Sequence, residues 1–263
     1  MWGFVDRAVC LTTNNSDRID DFIQDSKRIG LDVEIKSEPR VERSELCSPW
    51  KMIQIHSSCC ENTCRVLTNR HLLLIKESYD KGDQNIMIFE DDARWVEDLD
   101  MDKLKRVVDW IKQSSPDIFF FGYVSYPNFL GRPVNGDIVQ LSHPLLAHAY
   151  ILNRNAMSSI LHDYDKIVNE NIAIDTYYAH FTPTLKKYGV FPSLSYQCAE
   201  PFYFKETKRR LGLDFIPFNT FMDISNKTTY YGGYATLILF GVIVLAVVVL
   251  ILVRVIANLK RDR

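Results

Sequence analysis

Glu90, Asp91 and Asp92 are three adjacent carboxylates that end an unbroken apolar run of Ile86, Met87, Ile88 and Phe89. Such groups repel one another, and a cation relieves the repulsion. A divalent ion bridging to a phosphate suits them, because hard cations take oxygen ligands. The plainer use of the same acids is to cap the next helix or to face solvent. Alternate strand residues point the same way, which places the Glu90 and Asp92 side chains on one face. A second candidate is Asp175, set between Ile174 and Tyr177. Desolvation there would raise its basicity, while an ordinary helix N-terminal charge is the plainer use. His71 lies on an apolar helical face with Cys60, Cys64, Leu67 and Leu74. On spacing alone it is a core histidine satisfied by a backbone carbonyl.

The elements that must position these residues follow from periodicity. Ile86–Phe89, bounded by Gly82 and Asp83, is a strand buried on both faces, and open α/β sheets bind ligands just outside the carboxyl ends of such strands. Ala8 to Leu11 forms a first strand, and Ser16 or Asp17 caps a helix through Ile19, Phe22, Ile23 and Ile29 that Gly30 ends. Leu31–Ile35, Asp117–Gly122, Ile138–Leu141, His148–Leu152 and Val190–Leu194 are further strands. Helices fall across Leu104–Ile111, Ala156–Leu161 and Ile172–Phe181. The alternation predicts an α/β domain with a mostly parallel sheet. There is no GxGxxG or GxxxxGK loop, no GxSxG elbow and no HExxH helix. A nucleotide would therefore be held by metal and side chains.

The 263 residues suffice for one main domain with chain to spare, and a formal net charge of −2 gives no reason to expect nucleic acid. Cys59, Cys60 and Cys64 have no partner pair at zinc-ribbon spacing. Tyr234 to Val253 contains no charge, and about 20 helical residues span a bilayer core of about 30 Å, so a single C-terminal transmembrane helix is expected. Tyr230, Tyr231 and Tyr234 would lie at its interface. With no signal peptide over Met1–Thr12, the catalytic domain is expected on the cytoplasmic side, although Arg254, Lys260, Arg261 and Arg263 after the span favour the reverse, luminal orientation. Two sequons begin at Asn14 and Asn226.

Taken together, the order of motifs resembles glycosyltransferase family 25, the lipooligosaccharide and procollagen galactosyltransferase group, from about Ala8 to Gln197. The matching segments are Ala8–Leu11 with Arg18, Asn69-Arg70-His71-Leu72, Glu90-Asp91-Asp92-Ala93, Pro116–Gly122, and His148-Ala149-Tyr150 with Ala156, Ile160 and Leu161. Ala173-Ile174-Asp175 and Pro192–Gln197 complete the series. The serine that precedes the family's histidine is absent before His71, and Asp175 lacks the preceding proline seen in some members.

The resemblance implies a GT-A fold and transfer of a hexose, galactose or glucose, from a UDP-sugar to a hydroxyl of a glycan, lipid-linked or protein acceptor. It implies Mn²⁺ or another divalent cation on Glu90, Asp91 and Asp92, which also form the donor site with Arg18, His71, His148 and Gln197. Asp175 would act on the acceptor side, as general base or as a sugar-hydroxyl ligand. The division expected is a catalytic domain over 1–197, an aromatic and basic juxtamembrane segment over 198–233, the span at 234–253 and a short basic tail at 254–263. Competing functions are an inactive scaffold of the same fold, another metal enzyme such as a nucleotidyltransferase or phosphohydrolase, and a pure interaction module.

Overall fold

A computed structural model describes residues 1–14, 16–38, 62–125, 131–198, 215, 217–220, 222–233, 235–236 and 238–239. Its elements are β1 (Arg7–Thr13), α1 (Ile19–Arg28), β2 (Glu34–Glu38), α2 (Asn62–Lys81), β3 (Asn85–Glu90), β4 (Ala93–Trp95), α3 (Met101–Ser114), β5 (Ile118–Phe120) and β6 (Val124–Ser125). They continue as β7 (Arg132–Pro133), β8 (Ile138–Gln140), β9 (Pro144–Leu145), β10 (Ala149–Asn153), α4 (Arg154–His162), α5 (Tyr164–Asn169), α6 (Ile174–His180), β11 (Lys187–Val190) and β12 (Ser195–Gln197). Eight strands form one sheet in the order β2-β1-β3-β10-β5-β11-β8-β7.

The apolar run of β3 explains the layering. Ile86, Met87, Ile88 and Phe89 are all fully buried, each contributing about 1.5–3 kcal/mol by transfer from water. Because side chains alternate, Ile86 and Ile88 pack with Leu72 and Ile75 of α2 and Met157 and Ile160 of α4. Met87 and Phe89 pack on the other face with Phe22 of α1 and Leu104 and Val108 of α3. Glu90 continues the first face and so points toward α2. Asp91 falls to the second face, toward α1.

The sheet is mixed, which corrects the expectation of mostly parallel strands. β1 pairs in parallel with β2 and β3, and β5 with β11, but β10 runs antiparallel to both β3 and β5. The reversal sets the start of β10 beside the end of β3: Ala149 is opposite Phe89, and the Glu90 N–H donates to the His148 carbonyl at 3.0 Å. Boundaries also move. Arg18, not Ser16 or Asp17, is the N-cap of α1, the strand expected at Leu31–Ile35 forms at Glu34–Glu38, and the last predicted strand, Val190–Leu194, meets β11 only at Val190 and otherwise falls between β11 and β12. Gly30 does follow α1 in the left-handed region, at φ +65°. Cys59 and Cys60 lie outside the described residues.

The expected membrane anchor is also corrected. Among the described residues no helix is long and apolar enough to cross a membrane, so neither the C-terminal span nor a location assigned from it is supported. Residues 240–253 of that span, and the tail to 263, lie outside the described residues.

Residues 218–220 and 222–233 are helical and pack against the domain. Phe218, Met222 and Tyr230 are buried, and the Tyr230 ring stacks on Phe191 with centroids 3.9 Å apart. Asn226, first residue of a sequon, is buried and donates to Ser193 Oγ at 2.6 Å, which makes it a packing residue.

Candidate functional site

The site lies where β1 and β3 end and β10 begins. β3 delivers Glu90, and a turn then delivers Asp91 and Asp92. That turn is held by Arg94, a buried residue that donates to the carbonyls of Asp91 (2.9 Å), Ala93 (2.8 Å) and Arg18 (3.0 Å). One guanidinium thus fixes the acidic turn to the start of α1. Short β4 then pairs with β12, placing Gln197 opposite Ala93.

The three acids have different partners. Asp91 Oδ2 accepts from Thr12 Oγ1 at 2.6 Å, and Asp91 Oδ1 meets Arg18 Nη2 at 2.8 Å. Asp92 Oδ2 accepts from Gln197 Nε2 at 2.8 Å and faces Arg18 Nη1 at 3.7 Å. Asp92 Oδ1 is buried with no hydrogen-bond partner among the described residues. Burial, then the charge of Glu90, pushes the Asp92 carboxyl up to about 7, with the Gln197 hydrogen bond and Arg18 acting against the rise.

Glu90 belongs to a second cluster, behind the first. Its Oε1 lies 3.4 Å from His71 Nε2, and its side chain is 16% exposed. Burial, then the charges of Asp175 and Asp91, lifts its carboxyl to about 8. The His71 ring is fully buried, stacks on Tyr150, and pairs through Nδ1 with the Tyr150 hydroxyl at 2.7 Å. Tyr150 in turn meets the Tyr178 hydroxyl at 3.2 Å. The one hydrogen-bond partner of His71 among the described residues is thus a phenol, not the backbone carbonyl expected from spacing, and its Nε2 is buried without a hydrogen bond although Glu90 stands near it. Burial lowers the His71 pKa to about 3, with Asp175 opposing, so the ring is neutral around pH 7.

Asp175 occupies the first turn of α6 and accepts from the Thr176 N–H at 2.7 Å. Burial raises its pKa, opposed by hydrogen bonds from the backbone of Thr176 and Leu146. Leu146 is held at φ +73°, a left-handed conformation that costs a leucine about 1–3 kcal/mol. Strain is therefore maintained in the loop that faces the acid.

Arg18, His71, Glu90, Asp91, Asp92, Asp175 and Gln197 are gathered at one edge of the sheet. The His148 ring is not among them: it packs against Gly122, and burial lowers its pKa to about 4. Sequence reading missed Thr12, Arg94, Tyr150 and Tyr178 as members of the network. Arg94 directly follows the acidic motif and Tyr150 ends the His148-Ala149-Tyr150 motif, so the signal for those two was present.

Among the described residues no three His, Cys, Asp or Glu side chains are arranged to hold a metal ion. The three-carboxylate cage expected at Glu90, Asp91 and Asp92 does not form, because Asp91 is taken up by Thr12 and Arg18. The orphaned Asp92 Oδ1, with Glu90 raising the Asp92 pKa, still fits a hard cation. Such an ion takes one or two carboxylates and completes its shell with phosphate and water.

No protein-family model matches the chain, and no curated protein does. Some solved structures are similar over most of the chain, at low identity and TM-scores below 0.5. UDP-glucose pyrophosphorylase complexed with UDP-glucose is similar at 8% identity and TM-score 0.45, over 78% of this chain and 98% of that one. A197 from STIV is similar at 12% identity and TM-score 0.42, over 74% and 86%. A glycosyltransferase involved in glycosylation of the major capsid of PBCV-1 is similar at 11% identity and TM-score 0.38, over 80% and 100%. The neighbours thus include nucleotide-sugar pyrophosphorylases and a glycosyltransferase. At these identities the functional reading rests on the site itself.

Proposed function

We propose that this chain is a glycosyltransferase of the family 25 kind, moving a hexose from a UDP-sugar to a hydroxyl acceptor with a divalent cation, Mn²⁺ being the first candidate. The observation that carries the reading is the buried Asp92 Oδ1, unpartnered among the described residues, at the carboxyl edge of β3, beside Glu90 and within reach of Arg18. A carboxylate left so costs free energy unless a ligand completes it. Asp92 and Glu90 would hold the cation. When bound, it supplies Lewis-acid stabilisation of the charge that develops on the departing diphosphate.

The chain's own residues supply the rest. Arg18 adds a second positive charge on the diphosphate side, and its planar fork matches phosphate oxygens. Gln197 fixes the rotamer of Asp92, and Thr12 that of Asp91. Asp175, with its basicity raised by burial, takes the proton from the acceptor hydroxyl. His71, anchored by the Tyr150 hydroxyl, stays neutral and presents Nε2 3.4 Å from the Glu90 carboxyl.

The test is to incubate the full chain with a panel of UDP- and GDP-sugars, with Mn²⁺ or with chelator, and to follow nucleoside diphosphate release. Metal-dependent release from one donor supports the reading and identifies the sugar. Absence of both turnover and binding for every donor overturns it.

A further inference from the structure

Arg18 reaches in from the N-cap of α1 to touch two buried acids at once, at 2.8 Å from Asp91 and 3.7 Å from Asp92. The acid side chains are 8% and 9% exposed, whereas that of Arg18 is 37% exposed. Thr12 and Arg18 occupy the two oxygens of Asp91, while on Asp92 only Oδ2 is engaged among the described residues. The guanidinium therefore stands over the pair of acids that a divalent cation would neutralise. Two cations at contact distance from one carboxylate repel each other, so metal and guanidinium compete for Asp92.

We propose that Arg18 is an exchangeable counter-ion, neutralising Asp91 and Asp92 in the free protein, yielding Asp92 to an arriving divalent cation, and turning to the diphosphate of the donor. The inference rests on the reading of this edge as a nucleotide-sugar site. Geometry favours the exchange. The contact to Asp92 is the longer one, and the part-exposed side chain has room to turn. The Arg18 carbonyl is fixed by Arg94 Nη2 at 3.0 Å, so the side chain can move while the backbone stays.

Exchange has a thermodynamic consequence. A diphosphate that draws Arg18 away from Asp92 raises the affinity for the cation, and the cation raises the affinity for the diphosphate by the same factor. Cooperative loading of donor and metal would then follow from one arginine. A merely structural ion pair would give no such coupling.

The experiment measures Mn²⁺ binding to the full chain from the loss of the free-ion electron paramagnetic resonance signal, with and without UDP, for wild type, Arg18→Gln and Arg18→Lys. Without UDP, Arg18→Gln is expected to bind Mn²⁺ roughly three- to tenfold more tightly, since the competing charge is gone. At saturating Mn²⁺ it is expected to bind UDP roughly tenfold more weakly, having lost a charge-assisted pair. Arg18→Lys should fall between, its ammonium being a single point charge. Matching far-UV circular dichroism excludes misfolding as the source of either the tighter Mn²⁺ binding or the weaker UDP binding. Equal or weaker Mn²⁺ binding by Arg18→Gln overturns the inference. Tighter Mn²⁺ binding with unchanged UDP affinity overturns the transfer to diphosphate. If wild type does not bind UDP, the UDP-sugar transferase reading fails, and the Mn²⁺ comparison still decides whether Arg18 occupies the cation's place.

Discussion

His71 Nε2 stands 3.4 Å from Glu90 Oε1, while the opposite nitrogen of the same ring meets the Tyr150 hydroxyl at 2.7 Å. The imidazole is wedged between a carboxyl that faces the site and a phenol that faces the core. A neutral ring anchored through Nδ1, with Nε2 turned to Glu90, can position that carboxyl without carrying charge.

Replacing His71 should therefore act through Glu90. His71→Ala is expected to lower kcat by roughly 10- to 100-fold with little change in KM for the donor, as loss of a residue that orients a metal ligand does. Tyr150→Phe, which keeps the ring but removes the hydroxyl, should cost about 1–3 kcal/mol of stability and less activity. Steady-state kinetics beside urea unfolding separates the two effects. An unchanged kcat in His71→Ala would remove His71 from the site.

The carboxyls of Asp92 and Glu90, raised to about 7 and about 8, set a pH dependence on the metal-free protein. In the unfolded chain both ionise at ordinary values near 4. From about pH 4 to about pH 8 the native state holds more protons than the unfolded one, so these groups make stability fall as pH rises. Asp92→Asn is expected to gain on wild type through that window, by on the order of 1–4 kcal/mol at its upper end. The buried histidines work the other way. His71 and His148, lowered to about 3 and about 4, leave wild type losing stability as pH falls below about 6.5. The difference between wild-type and Asp92→Asn urea midpoints at about pH 5 and pH 8 isolates the carboxyl contribution, and a less stable Asp92→Asn at the higher pH would contradict the assignment.

Gly122 has no room for a side chain. A Cβ there would run into the Ser195 carbonyl and lie 2.6 Å from His148 Nε2. Because the Ser195 side of the clash is backbone, β12 must shift, and Gln197 on β12 holds Asp92. Gly122→Ala is expected to cost about 1–3 kcal/mol or more and to weaken Mn²⁺ binding, measured by unfolding and by titration.

The helical residues near the C-terminus should behave as part of the domain. Tyr230 stacks on Phe191 and donates to the Asn135 carbonyl at 2.8 Å. Tyr230→Ala is expected to lose about 3–5 kcal/mol, as large aromatic truncations in cores do. A chain ending near residue 197 should unfold more readily than one ending near 233. Equal stability of the two would show that the segment is an appendage.

Much of the site was legible because its chemistry sits in short, ordered motifs. Glu90, Asp91 and Asp92 stand at the end of a run too apolar to be anything but a buried strand, and Asp175 follows Ile174 at a helix start. What sequence could not supply was direction and division of labour. The apolar run of β10 reads the same whichever way it runs, so its reversal, which brings Tyr150 to His71, left no trace in periodicity. The split of adjacent acids to opposite faces is a consequence of strand pleating, but which acid meets Arg18 depends on where α1 begins. His148 matched a motif yet packs on Gly122, because a motif position fixes a residue's place and not the orientation of its ring.

The most direct measurement compares nucleoside diphosphate release from UDP-hexoses by wild type and Asp92→Ala, each with Mn²⁺ and with chelator. The account predicts release by wild type that chelator abolishes and that Asp92→Ala reduces by roughly 100-fold or more. Release that survives both the chelator and the substitution would contradict it.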